Sequence, residues 1–156
     1  MKITRFEDIE SWKLARKLTN ALYSMTNKSS FSADYALKDQ IRRAAGSVMH
    51  NIAEGFDAGS RGEFARFLRY AQRSCTEVQS QLYLAVDQNY LTESEFCVLH
   101  TQAAQTRKKI GGFIRYLTED VKATRPELIP GTRHQEPRTK HRAPSTTNQA
   151  HRKEIL

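Results

Sequence analysis

The chain has 156 residues, enough for one ordinary domain that buries more than half of its unfolded surface. Its formal charge is +8, from 25 Lys and Arg against 17 Asp and Glu, a balance that favours a polyanionic partner. Two cysteines without a C-x-x-C pair argue against a disulfide framework or a zinc site.

The first predicted helix runs from about Phe6 to Thr26, opened by Thr4-x-x-Glu7, a capping-box pattern. Ile9, Trp12, Ala15, Leu18, Leu22 and Met25 give it one apolar face. Leu14, Ala21 and Tyr23 make it apolar on a second side, which a neighbouring subunit would cover. The second helix, about Asp34 to Glu54, carries Leu37, Ile41, Ala44, Ala45, Val48, Met49 and Ile52 at three-and-four spacing. The third, about Arg61 to Asn89, starts after Ser60-x-x-Glu63 and repeats Phe64, Phe67, Leu68, Ala71, Cys75, Val78, Leu82 and Ala85. The fourth follows Thr92-x-x-Glu95 and runs to about Val121, with Phe96, Leu99, Ala103, Ile110, Phe113, Leu117 and Val121 on one face. Both cysteines fall on or beside these stripes, which places them in the core. Gly111 and Gly112 weaken the fourth helix, and either a close helix contact or a kink would account for them.

Long helices joined by short links pack as antiparallel neighbours, so the fold class is all-α, an antiparallel up-down four-helix bundle over residues 1–121. All four prolines lie after residue 125. Residues 122–156 are poor in large apolar side chains and carry eight basic against three acidic residues, so they read as a disordered basic tail holding most of the net charge. No apolar run approaches the roughly 20 residues that cross a bilayer, and the acidic start does not suit a signal peptide. The expectation is a soluble cytoplasmic protein with no membrane partner.

Within "QIRRAAGSVMHNIAEGF", Gln40 to Phe56, the small residues let another helix approach, and Gly55 reads as a left-handed stop residue. Asn51 and Glu54 have no such account; Glu54 opposes the helix dipole and calls for a compensating partner. They form either a small polar site or a clamp to a neighbouring helix or subunit, and the clamp is favoured because no second carboxylate or His-Asp pair accompanies them. His50 and Glu54 are spaced i, i+4, but the remaining residues of a zinc-binding helix are missing, so no metal is expected.

This segment, followed by "EFARFLRYA", resembles the four-helix bundle proteins encoded in intervening sequences of bacterial 23S ribosomal RNA genes. The resemblance rests on Arg42, Arg43, Ala44, Ala45, Ser47, on Asn51 to Gly55, and on Glu63, Phe64, Phe67 and Leu68, with Phe6, Glu7, Asp8, Trp12 and Ala15 near the start. It covers about Phe6 to Leu117. Met49 stands where the family has proline, Gly46 where a larger apolar residue is usual, and His50 where the family has a small one. The resemblance implies a cyclic homo-oligomer, a pentamer, without established catalysis and with nucleic-acid binding suspected. Similar pentamers serve as accessory proteins of reverse transcriptases.

Arg66, Arg69 and Arg73 recur at i, i+3 and i+7 on the third helix, with Arg61 just before and Arg42 and Arg43 on the second. An arginine fork pairs with two phosphate oxygens, so these six are the candidate RNA or DNA contacts; a solvated bundle surface is the ordinary alternative. Trp12, Tyr70 and Tyr83 either stack bases or fill a core. The expected protein is thus a non-enzymatic oligomeric bundle that binds nucleic acid through basic faces and tail, without a cofactor. A protein-binding scaffold, or an accessory factor of an enzyme such as a reverse transcriptase, is the alternative.

Overall fold

The structure, a computed structural model, describes residues 3–123. Most of the expected disordered tail, from residue 124 on, lies outside the described residues. The described chain is all helical: α1 (Glu10–Thr26), α2 (Ser29–Ala33), α3 (Tyr35–Asp57), α4 (Arg61–Asp87) and α5 (Glu93–Ala123), preceded by a 3-10 turn at Phe6–Asp8. The four long helices form an up-down bundle. α1 packs on α3 and α5, and α4 packs on the same two, so the helices close a ring in the order α1, α3, α4, α5.

The predicted stripes become the core. One end holds Leu18, Leu22, Phe31, Ile41, Leu82 and Leu99; the other holds Ile52, Leu68, Cys75, Ile110 and Leu117. Each fully buried leucine or isoleucine contributes about 1.5–3 kcal/mol relative to exposure. Between the ends, Ala15, Ala44, Ala45, Ala71 and Ala103 are buried and keep the helices close. The Thr19 hydroxyl lies 2.9 Å from the Ala15 carbonyl of its own helix and 3.2 Å from the Ala45 carbonyl of α3, at the α1–α3 contact.

Of the three expected capping boxes one forms in full and one in half. The Glu95 amide donates to Thr92 Oγ1 at 3.2 Å, and the Thr92 amide donates back to Glu95 Oε2 at 3.0 Å. Ser60 Oγ accepts from the Glu63 amide at 3.2 Å, while the Glu63 carboxylate turns to Arg66 instead of closing the box. The Thr4 box does not form. Arg5 is the residue before the 3-10 turn, and Glu7 takes its guanidinium at 2.9 Å, so α1 begins only at Glu10.

Gly55 departs from the expected stop. α3 continues through it to Asp57, and among the described residues no glycine is left-handed, while Asn89, at φ 58°, is. A Cβ on Gly55 would lie 2.7 Å from Phe64 Cδ2 and 2.8 Å from Phe67 Cβ. Glycine is required there because α4 crosses α3 at that point. At Gly111 a Cβ would meet only the end of the Gln72 side chain, at 2.8 Å, which can swing away, so no close helix approach is required there. Gly112 faces open space. Cys75 is buried as expected, and burial pushes its thiol up to about 12. Cys97 is exposed, contrary to the core placement, because it sits at the edge of the α5 stripe rather than within it.

Candidate nucleic-acid interface

The six candidate arginines occupy three settings. Arg42 is half-buried and held inside the bundle. Its Nε donates to Thr26 Oγ1 and its Nη2 to Asn27 Oδ1, each at 2.8 Å, and its guanidinium lies 4.5 Å from the centre of the Tyr23 ring. These contacts fasten α3 to the side chains at the C-terminal end of α1. Arg43 and Arg66 are exposed but neutralised, Arg43 by Asp39 at 3.2 Å and Arg66 by Glu63 at 2.7 Å. Arg61 lies 5.3 Å over the Tyr116 ring, joining the start of α4 to α5. Arg69 and Arg73 are exposed and have no acidic partner among the described residues.

Asn51 faces Ser47 one turn earlier. Its amide donates to the Ser47 carbonyl at 2.8 Å and to Ser47 Oγ at 3.0 Å, and Ser74 Oγ of α4 donates to the same Ser47 oxygen at 2.9 Å. The Ser47–Ser74 pair joins α3 to α4, and Asn51 braces Ser47 from within α3 without itself reaching α4. Glu54 takes no part in these contacts. Its carboxylate is exposed and makes no ion pair among the described residues, so the compensating partner expected for it near the helix end is not found there. Glu54 and His50 border a shallow depression with Arg43 and Asn51. Among the described residues, no group of three or more His, Cys, Asp or Glu side chains is arranged to hold a metal.

The seam between α4 and α5 holds features that a charge count along single helices overlooks. On α4, Arg69, Gln72, Thr76, Gln79 and Tyr83 recur at helical spacing; on α5, Phe96, His100, Ala104, Arg107, Gly111 and Arg115 do the same. Gln72 Nε2 donates across the seam to the Arg107 carbonyl at 3.3 Å, and Gln79 pairs with His100 at 3.2 Å. Tyr83 packs on Phe96 at 4.8 Å and on His100 at 5.5 Å, and Phe96 stacks on His100 at 5.3 Å. Tyr83 remains 53 % exposed. The signal that could have found this strip was the matched stripe on two helices, which becomes visible only once α4 and α5 are known to be neighbours.

On the opposite side of α5, Ile3, Ile9, Leu14 and Phe113 line an apolar groove against α1, rimmed by Lys108, Lys109 and Arg115. Leu14, expected on a second apolar side of α1, lies in this groove. At the far end, Lys28 pairs with Glu95. That contact and the Thr92 amide hold the Glu95 carboxyl below the usual carboxylate range. No described helix is long and apolar enough to cross a membrane.

A closed ring of four long helices with a glycine at the α3–α4 crossing defines a helical-bundle protein. The model of the 23S rRNA-intervening sequence protein family matches residues 7–112, and the chain belongs to that family. Among solved structures it is similar to a protein of unknown function from the S23 ribosomal protein family of Bacteroides thetaiotaomicron VPI-5482. The two share 23 % identity over 67 % of this chain and 94 % of that one, with a TM-score of 0.58, a likeness of fold. No curated protein matches the chain.

Proposed function

We propose that this chain is a non-enzymatic bundle protein that binds RNA or DNA through the basic surface of α4 and α5, assisted by the basic residues after 121. The observation that carries this reading is the pair Arg69 and Arg73, exposed on one helix face with no acidic partner among the described residues, whereas Arg43 and Arg66 each have one. Holding two uncompensated guanidinium groups side by side costs repulsion that a phosphate backbone would relieve. The sequence offers no nucleophile set beside a base, so binding rather than catalysis is the role.

Filter binding with single-stranded RNA, single-stranded DNA and duplex DNA over a salt series tests this. The triple variant Arg66→Gln, Arg69→Gln, Arg73→Gln keeps the helix and removes the charge. Its log affinity against log salt should be shallower by about two units on single strands, from about 0.7 per phosphate released. Unchanged affinity and slope would move the function elsewhere on the molecule.

A second reading, an assembly scaffold, is favoured by the α1–α5 groove, whose Ile3 and Leu14 leave apolar surface in water. Packing of subunits through that groove would produce the cyclic pentamer that the resemblance implies, and a clean monomer in sedimentation at micromolar concentration would refute it.

A further inference from the structure

We infer that the α4–α5 seam is a single-strand groove, in which unpaired bases stack on the Tyr83 ring and the phosphates run along the seam towards Arg107 and Arg69. This inference rests on the nucleic-acid reading above and adds the form of the ligand and the path it takes.

Three observations converge. The first is an aromatic platform. Tyr83, Phe96 and His100 touch one another at ring separations of 4.8 to 5.5 Å. Phe96 packs against the core, which fixes the cluster, while half of Tyr83 stays in water. A ring braced from behind and open in front is what base stacking requires, and every base has a face to offer it.

The second is charge. On the side facing α4, α5 carries Arg107, Lys108 and Arg115, and no acid lies between Phe96 and Thr118. Between Phe64 and Val86, α4 carries Arg66, Arg69 and Arg73 and the single acid Glu77. Glu77 accepts a hydrogen bond from Gln81 at 3.2 Å, on the side of α4 away from α5. An acid-free track beside an aromatic platform suits a polyanion with exposed bases better than an acidic protein, which would not need the rings.

The third is length and lining. Tyr83 and Arg69 are fourteen residues apart on one helix, a span of about 21 Å at 1.5 Å per residue. Gln79, paired with His100 of the platform, sits between Tyr83 and the arginines, and its amide carries the donors and acceptor that base edges and sugars use. A duplex keeps its bases stacked inside and could reach only the charges. The groove therefore selects single strands.

The test uses the full-length protein, a short fluorescein-labelled oligothymidylate, and the same length of duplex DNA, read by fluorescence anisotropy. Tyr83→Ala should weaken oligothymidylate binding by at least about fivefold, the lower end of what loss of one stacking ring produces. Duplex binding should change less than twofold. Tyr83→Phe should bind as the parent does, because the ring rather than the hydroxyl is used. Arg107→Gln should lower affinity for both ligands and flatten the salt dependence. Tyr83→Phe should melt as the parent does, and Tyr83→Ala, which loses the ring contacts to Phe96 and His100, only slightly lower, with the helix content unchanged. If the parent binds but Tyr83→Ala binds oligothymidylate equally well, the seam is not the groove, and the broader nucleic-acid reading survives. If Tyr83→Ala loses duplex and single strand alike, stacking is overturned. If the parent binds neither ligand at low salt, both readings fail together.

Discussion

Gly55 and Gly112 make a matched pair of helical glycines whose replacement by alanine should move stability in opposite directions. In a helix interior, alanine is favoured over glycine by about 0.8–1 kcal/mol. At Gly112 nothing lies within 4 Å of the new methyl, so the full gain should appear. At Gly55 the methyl would meet Phe64 Cδ2 at 2.7 Å and Phe67 Cβ at 2.8 Å. The Phe64 ring cannot swing aside freely, since it is buried edge-on to Phe56 at 6.3 Å and Phe113 at 5.1 Å. Phe67 Cβ is fixed to the backbone of α4, so relief requires the two helices to part. Overpacking of this kind costs about 1–3 kcal/mol, and two contacts place it at the upper end. The net expectation is a loss of about 1–2 kcal/mol for Gly55→Ala and a gain of about 0.5–1 kcal/mol for Gly112→Ala. Urea unfolding followed by circular dichroism, at one fixed protein concentration, resolves differences of this size. A Gly55→Ala protein as stable as the parent would refute the close-approach explanation and restore a role for this glycine in ending the helix.

The two thiols should separate cleanly: at mildly alkaline pH a thiol reagent should modify one cysteine per native chain, Cys97, and reach Cys75 only on unfolding, because Cys75 is fully buried and burial pushes its thiol up to about 12. Two fast equivalents by mass spectrometry would overturn the core placement of Cys75. Glu95, whose folded carboxyl is held below its unfolded range by Lys28 and the Thr92 amide, contributes stability that is present above the ordinary carboxylate range and lost as pH falls through the depressed folded value. Glu95→Gln should therefore melt below the parent at neutral pH and converge with it in acid; a difference that persists unchanged into acid would show that packing, not charge, is what the substitution removed.

Much of the bundle was legible because its helices are long. Stripes such as Leu37, Ile41, Ala44, Val48 and Ile52 run over several turns, and no other period fits them. α2 was not legible. Five residues are too few to show a period, yet Phe31 within it is fully buried and stacks on Tyr90 at 5.0 Å. Gly55 was misread because a helix stop and a close crossing call for the same residue, and only the position of Phe64 and Phe67 separates them. The arginines were found by spacing, but spacing does not reveal which are already engaged. Arg42 is tied to Thr26 and Asn27, sixteen and fifteen residues earlier, by a contact that forms only when α1 and α3 lie side by side. Tyr83 was named as a residue that either stacks bases or fills a core, but its partners were not, for a similar reason: Tyr83 belongs to one helix and Phe96 and His100 to the next.

The link between α3 and α4 is only three residues, Ala58–Ser60, whereas α1 and α5, which also pack together, stand at opposite ends of the described chain. Closing a loop costs entropy that rises with its length, by about 0.6 kcal/mol per doubling. The α3–α4 hairpin, seated by the glycine crossing and the Ser47–Ser74 contact, should accordingly assemble early, with the two outer helices docking onto it afterwards. As the chain emerges from a ribosome, α1 waits without its α5 partner until the last long helix is made, and its apolar groove face stays open to chaperones, or to a sister chain, for that whole interval.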